Sequence, residues 1–67
     1  MKLIVNGAER ELALETATVA DLVTELGLRP EIVAVELNGD LVPRATHGET
    51  GLAEGDRVEL VTLVGGG

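Results

Sequence analysis

The sequence lacks three kinds of side chain on which much protein chemistry depends: its 67 residues include no cysteine, no serine and no aromatic residue. Without cysteine there is no disulfide, no thiolate metal site and no thiol catalysis. Without serine there is no Ser–His–Asp triad and no attachment point for a phosphopantetheine arm. The only lysine is Lys2, which leaves no internal lysine for a biotin or lipoate arm. In so short a chain, these absences argue against an enzyme with its own active site.

Positive charge is also scarce. Twelve Asp and Glu residues against five Lys and Arg residues give a net charge of −7. That charge repels a phosphate backbone, and no aromatic side chain offers a base a stacking surface, so we expect no nucleic-acid partner. No apolar run approaches the roughly 20 residues of a membrane span, and the first residues lack the apolar stretch of a signal peptide. The sequence predicts a cytoplasmic domain without a membrane partner, whose acidity suits a protein partner with a basic face.

Two Asn-Gly pairs predict β-hairpins, because both residue types tolerate the positive φ angles of a type I′ turn. A further strand is predicted near the end of the sequence, where apolar and polar residues alternate and where Val61 and Leu63 face outward. The predicted strands are residues 2–5 and 9–14 around Asn6-Gly7, residues 32–37 and 41–42 around Asn38-Gly39, and residues 56–64. Residues 32–37 are apolar except for Glu36, so we expect that strand to be largely buried on both faces.

One helix is predicted over residues 19–26, where apolar residues recur with helical spacing. Thr18 is a favourable N-cap residue, and Asp21 stands three positions later, as in a capping box. Gly27 follows the last apolar position and is suited to the left-handed conformation that ends many helices. Pro30 prevents the helix from resuming.

The predicted order β-β-α-β-β-β favours an α+β fold of the β-grasp, or ubiquitin-like, class. In that architecture a mixed sheet of four to five strands has one helix packed on one face. We expect the third strand to run parallel to a neighbour and the last strand to insert at the centre of the sheet. Residues 1–64 would form a single domain, and residues 65–67 a flexible glycine tail.

Few residues within the predicted domain suggest chemistry. His47 is the only histidine and lies in a polar connection over residues 44–55, where we expect an exposed loop residue rather than a metal ligand. Leu52 is expected to anchor that connection in the core. The scattered acidic residues are interpreted as a solvated surface rather than as acid–base pairs: Glu9, Glu11, Glu15, Glu54, Asp56 and Glu59.

The C-terminus offers the one reactive group, since the last predicted strand runs into three glycines and the α-carboxylate of Gly67. Three residues reach at most ~10 Å, and without β-carbons they can thread a narrow slot. A carboxylate becomes reactive when adenylation with ATP turns its oxygen into part of a good leaving group. The sequence has no phosphate-binding loop and no nucleophile, so a partner would have to supply both.

Four stretches of the sequence together resemble the ThiS family of thiamine-pathway sulfur carriers. They are residues 18–23, 35–44, 52–59 and 61–67, and they span most of the chain. Members of that family often carry an aromatic residue shortly after the Pro-Arg pair, and His47 falls near that point here.

The resemblance implies a chemistry and a set of partners. A ThiF-like, E1-like adenylyltransferase would use ATP and Mg to adenylate Gly67, with Gly65 and Gly66 threading its active site. Sulfur from a cysteine desulfurase relay would convert the terminus to a thiocarboxylate, and a ThiG-like thiazole synthase would take that sulfur. The chain itself would bind no cofactor and no metal, and would be a carrier rather than an enzyme. The expected docking residues beside the tail are Val61, Leu63 and Val64.

Three other functions stay open at this point. The chain could carry sulfur for another pathway, as the small subunit of molybdopterin synthase or as a carrier for tRNA thiolation. It could modify other proteins, although Lys2 and the N-terminus would be the only acceptors for chain formation. It could also be a noncovalent β-grasp adaptor with an inert tail, which would bind partners equally well without residues 65–67.

Overall fold

The computed structural model describes residues 1–13 and 17–63. The predicted tail, Val64, Leu14 and Glu15 therefore lie outside the described residues. The prediction that the second strand continues to Leu14 is wrong: the strand ends at Glu11, because its partner strand begins at Lys2, which pairs with Glu11. Within these ranges the elements are β1 (Lys2–Val5), β2 (Ala8–Glu11), β3 (Ala17–Thr18), α1 (Val19–Glu25), β4 (Val33–Leu37), β5 (Asp40–Val42), β6 (Gly51–Leu52) and β7 (Arg57–Thr62), with short 3₁₀ helices at Pro30–Ile32 and Arg44–Thr46.

The main sheet has five strands in the order β2-β1-β7-β4-β5. β7 pairs in parallel with β1 and antiparallel with β4, so the expected mixed sheet and the central position of the last strand are confirmed. The expectation that the third strand, β4, has a parallel neighbour is wrong. Because β7 inserts between the two hairpins, both neighbours of β4 are antiparallel, and the parallel pair is formed by the first and last strands instead.

Both Asn-Gly pairs form the predicted turns. Asn6 and Gly7 have φ angles of 50° and 82°, and Asn38 and Gly39 have φ angles of 51° and 90°. These are the left-handed values that a type I′ turn needs at its two central positions.

The two turn asparagines also bind the central strand, which the turn motif alone does not predict. The Asn6 side-chain oxygen accepts the backbone N–H of Leu60 at 2.7 Å, and its amide donates to the Leu60 carbonyl at 3.3 Å. The Asn38 oxygen accepts the backbone N–H of Arg57 at 3.0 Å. Each hairpin therefore holds β7 by a side chain as well as by its strand.

The helix begins with the predicted capping box. Asp21 donates its backbone N–H to the Thr18 hydroxyl at 3.2 Å, and its carboxylate accepts the Thr18 N–H at 2.9 Å. The N–H groups of Val19 and Ala20 donate to carbonyls of the loop after β5. The first three N–H groups of the helix are thus satisfied, as burial of a helix end requires. Gly27, at φ 71°, follows the helix in the left-handed conformation that was predicted for it.

The core lies between α1 and one face of the sheet, and its side chains are aliphatic. Only one face of β4 is buried, which corrects the expectation of a strand covered on both faces: Val33 and Val35 are buried, and Glu36 is exposed. A second sheet, which the sequence did not predict, pairs β3 with β6 and buries Ala17 and the expected anchor Leu52. The buried aliphatic residues are Leu3, Val5, Leu12, Ala17, Val19, Leu22, Val23, Val33, Val35, Val42, Leu52 and Val58.

We predict that Asn6→Gly lowers the free energy of unfolding by about 1 kcal/mol, because glycine keeps the positive φ angle and removes both hydrogen bonds to Leu60. Asn6→Ala should cost more, since alanine also resists that φ angle. Urea denaturation of the three chains measures both effects. An Asn6→Gly chain as stable as the original would show that the side-chain bonds do not hold the central strand.

Candidate functional site

The end of β7 presents apolar side chains to solvent. Val61 is 58% exposed and Leu63 is 54% exposed, as the alternation in the sequence predicted. The backbone N–H of Leu63 donates to the carbonyl of Ile32, which continues the β4–β7 ladder one residue beyond the strand. The chain is therefore held in the sheet as far as Leu63. The other expected site residues, Val64, Gly65, Gly66 and Gly67, lie outside the described residues. The docking role of Val61, Leu63 and Val64, the threading role of Gly65 and Gly66 and the modification of Gly67 all stay predictions.

A third exposed apolar residue shares this surface and was not predicted. Leu41 on β5 is 67% exposed. Across the sheet, Glu36 is paired with Leu41 on one side and with Glu59 on the other. Ala34, two residues before Glu36, is paired with Val61. Because paired residues and residues two apart share a face, all of these side chains project from one side of the sheet. This side is turned away from α1, and we call it the open face. Leu41, Val61 and Leu63 together form its apolar patch.

The open face also carries carboxylates in two different states. At the β1–β2 edge, the ammonium group of Met1 donates to Glu11 at 2.9 Å, and this hydrogen bond lowers the pKa of the Glu11 carboxyl from its ordinary value. At the centre, Glu36 and Glu59 stand directly opposite one another. Among the described residues, neither side chain has a hydrogen-bond or ion-pair partner.

Besides Glu11, two acidic residues that the sequence placed on a solvated surface have structural partners. Asp56 accepts the backbone N–H of Ala53 at 2.8 Å and the side-chain amide of Asn38 at 3.1 Å. Glu54 accepts the backbone N–H of Lys2 at 3.1 Å. These carboxylates fasten the turn before β7 to both hairpins, which accounts for them without acid–base chemistry.

His47 is buried, which corrects the expectation of an exposed loop residue. Its side chain is 4% exposed and stands 3.2 Å from the Val42 carbonyl through Nε2, so Nε2 carries the proton and donates. The backbone carbonyl of His47 accepts the N–H of Ala20 at 3.0 Å. The ring therefore packs under the loop that caps α1. The family's preference for an aromatic residue near this position was the sequence signal for a buried ring.

Within residues 1–13 and 17–63, no cluster of three or more His, Asp or Glu side chains is arranged to hold a metal ion. No pocket opens on the surface of this described part. No helix in it has the length and apolar character that a membrane crossing needs. The cytoplasmic location stays a prediction.

Known proteins resemble the whole of this chain. The sequence profile of the ThiS family matches residues 3–67. The chain belongs to the ThiS family. The sulfur carrier protein ThiS of Bacillus subtilis is 34% identical over 65 residues, which cover 97% of this chain and 98% of that protein. The crystal structure of the thiamine biosynthesis protein ThiS from Geobacter metallireducens has a TM-score of 0.87 and 36% identity, with both chains fully covered. That likeness confirms the β-grasp fold.

Larger proteins also contain a region similar to this ThiS-family chain. A thiazole synthase of Paramagnetospirillum magneticum is 40% identical over all 67 residues. A thiazole synthase of Magnetococcus marinus is 42% identical over the same length. The chain spans about a fifth of the length of these two relatives.

We predict that His47→Ala lowers the free energy of unfolding by about 2–4 kcal/mol, because it leaves a cavity under the loop that caps α1 and removes the bond to Val42. Arg44→Ala, an exposed change in the same loop, should stay within about 0.5 kcal/mol. Urea denaturation compares the two variants. Equal stability of the His47→Ala and original chains would contradict the buried, structural role of this ring.

Proposed function

We propose that this ThiS-family chain carries sulfur for thiazole formation in thiamine biosynthesis, as a thiocarboxylate on Gly67. Membership of the family is the single observation that carries this proposal. The chain acts as a co-substrate of partner enzymes and has no catalytic site of its own.

The geometry at the end of β7 supports this function. The central strand has neighbours on both edges, and Leu63 still pairs with Ile32. A carrier needs a firm body from which a narrow chain end can enter another protein's active site. The sequence continues after Leu63 with Val64 and three glycines. Gly65 and Gly66 would thread the entry, because a slot that fits glycine excludes side chains.

The chemistry needs two steps, both supplied by partners. In the first, a carboxylate oxygen of Gly67 attacks the α-phosphorus of ATP and pyrophosphate leaves, which yields an acyl-adenylate. In the second, with sulfide as the simplest nucleophile, sulfur attacks the carbonyl carbon and AMP leaves with one oxygen. One oxygen of Gly67 is then replaced by sulfur. The ATP and Mg belong to the adenylating enzyme.

The proposed partners follow from these steps. A ThiF-like adenylyltransferase activates Gly67, a cysteine desulfurase relay supplies sulfur, and a ThiG-like thiazole synthase consumes it. The similar regions in two proteins named thiazole synthase support the last partner and favour the thiazole pathway over molybdopterin or tRNA thiolation. The apolar patch, together with Val64 of the expected docking residues, would be the docking surface for the adenylating enzyme.

We predict that incubation with a ThiF-like enzyme, ATP, Mg and sulfide changes the intact mass by one oxygen-for-sulfur exchange. Deletion of Gly67 should abolish the change, since the reactive carboxylate would no longer reach the active site. Gly48→Ala is the matched control, because Gly48 lies in a loop with open space around its α-carbon. An unmodified full-length chain would overturn the carrier function, and a modified deletion chain would place the chemistry elsewhere.

We predict that Val61→Asp lowers the kcat/KM for adenylation at least tenfold, because a charge in the apolar patch must lose its water on docking. Thr24→Asp adds the same charge on the exposed side of α1 and should leave kcat/KM unchanged. ATP–pyrophosphate exchange measures the kcat/KM for adenylation of both variants. Equal kcat/KM values for the two variants would show that the apolar patch is not part of the docking surface, and would favour contact through another part of the molecule.

A further inference from the structure

At the centre of the open face, two negatively charged carboxylates lie directly opposite one another. Glu36 on β4 and Glu59 on β7 are directly paired across the ladder. Side chains so paired have β-carbons about 5 Å apart on the same face. Both side chains are exposed, and neither has a hydrogen-bond or ion-pair partner among the described residues.

The arrangement costs stability in the free chain. Like charges directly opposite one another destabilise a pair of strands. The chain already has a net charge of −7, which adds to the repulsion. Arg57 shares the open face two residues before Glu59, yet it forms no ion pair with any residue of the ranges 1–13 and 17–63. The repulsion between the two carboxylates therefore destabilises the strand pairing locally, and a neutral residue at either position would remove it.

The residues around the Glu36–Glu59 pair indicate that the surface of a partner protein binds there. Leu41 is the cross-strand neighbour of Glu36, and Val61 follows Glu59 by two residues on the same face. Leu41 and Val61 are both more than half exposed. A partner that covers them brings an apolar surface against the carboxylates and removes their water. Buried in that way, the two charges need a cation between them.

We propose that the Glu36–Glu59 pair receives one arginine of a partner protein, set in the apolar surface that covers Leu41 and Val61. A guanidinium group fits because its planar fork of donors can bond two carboxylates at once and its charge is held less tightly by water than that of an ammonium group. Because the arginine also neutralises the repulsion between the two carboxylates, the pair contributes more binding free energy on docking than a single carboxylate would. The inference rests on the proposed function, since the partner is the adenylating enzyme that acts on Gly67.

The test measures adenylation by a ThiF-like enzyme and the stability of the free chain for Glu36→Gln, Glu59→Gln and the double variant. We expect the double variant to raise the KM for the carrier at least tenfold with kcat unchanged, because docking is lost and the chemistry at Gly67 is not. We expect each single variant to raise the Tm of the free chain by about 2 °C at low salt, with a smaller gain at high salt where the repulsion is screened.

Glu49→Gln is the matched control, because it makes the same charge change in the loop that caps α1. It should leave KM unchanged and should not raise the Tm. An unchanged KM in the double variant, while the original chain is adenylated, would overturn this inference alone. Failure of the original chain to be adenylated would overturn the proposed function and the inference with it.

Two further results would assign the pair to a different occupant and overturn the inference. One is a Tm rise on adding Ca²⁺ to the original chain that the double variant does not show, which would make the pair a cation site. The other is a concentration-dependent dimer of the free chain, seen by sedimentation and lost in the double variant. An unchanged Tm in both single variants would show that Glu36 and Glu59 do not repel one another in the free chain, and it would also overturn the inference.

Discussion

The structure depends on the pairing of the last strand with both hairpins. β1–β2 and β4–β5 share no ladder, and β7 joins them by a parallel pairing on one edge and an antiparallel pairing on the other. The helix and the β3–β6 pair add contacts between the two parts of the chain, but among the described residues β7 is the only strand that pairs with both hairpins. Asn6 and Asn38 strengthen this join, since each uses its side chain to bond the β7 backbone while its own φ angle makes the turn.

This join also determines what the molecule can present to a partner. The strand that completes the sheet is also the central one, and it is the strand that precedes the glycines in the sequence. Its outer side chains, Val61 and Glu59, belong to the same open face as Leu41 and Glu36 on the neighbouring strands. One sheet face therefore combines an apolar patch, which includes the last described residue Leu63, with a pair of unmatched carboxylates. A surface that tolerates both exposed aliphatic groups and charge repulsion is better suited to a docked state than to the free chain.

Much of this architecture follows from local signals. Asn-Gly pairs, a capping box and a central final strand each have a short-range or topological cause, so the hairpins, the helix and the central place of the last strand were predictable. The parallel pairing of β1 with β7 was assigned to the wrong strand, because strand neighbours depend on long-range insertion rather than on the crossover alone. His47 lies in a polar stretch, and its burial comes from the helix cap above it. The opposition of Glu36 and Glu59 requires a register, which a single sequence does not contain.

The central claim is that the open face and the tail engage the adenylating enzyme together. Backbone amide NMR of the isotope-labelled chain, titrated with a ThiF-like enzyme and ATP, tests it residue by residue. The account predicts line broadening at Leu41, Glu59, Val61, Leu63 and the terminal glycines, with the amides of α1 unaffected. Broadening centred on α1, with the open face unchanged, would contradict it.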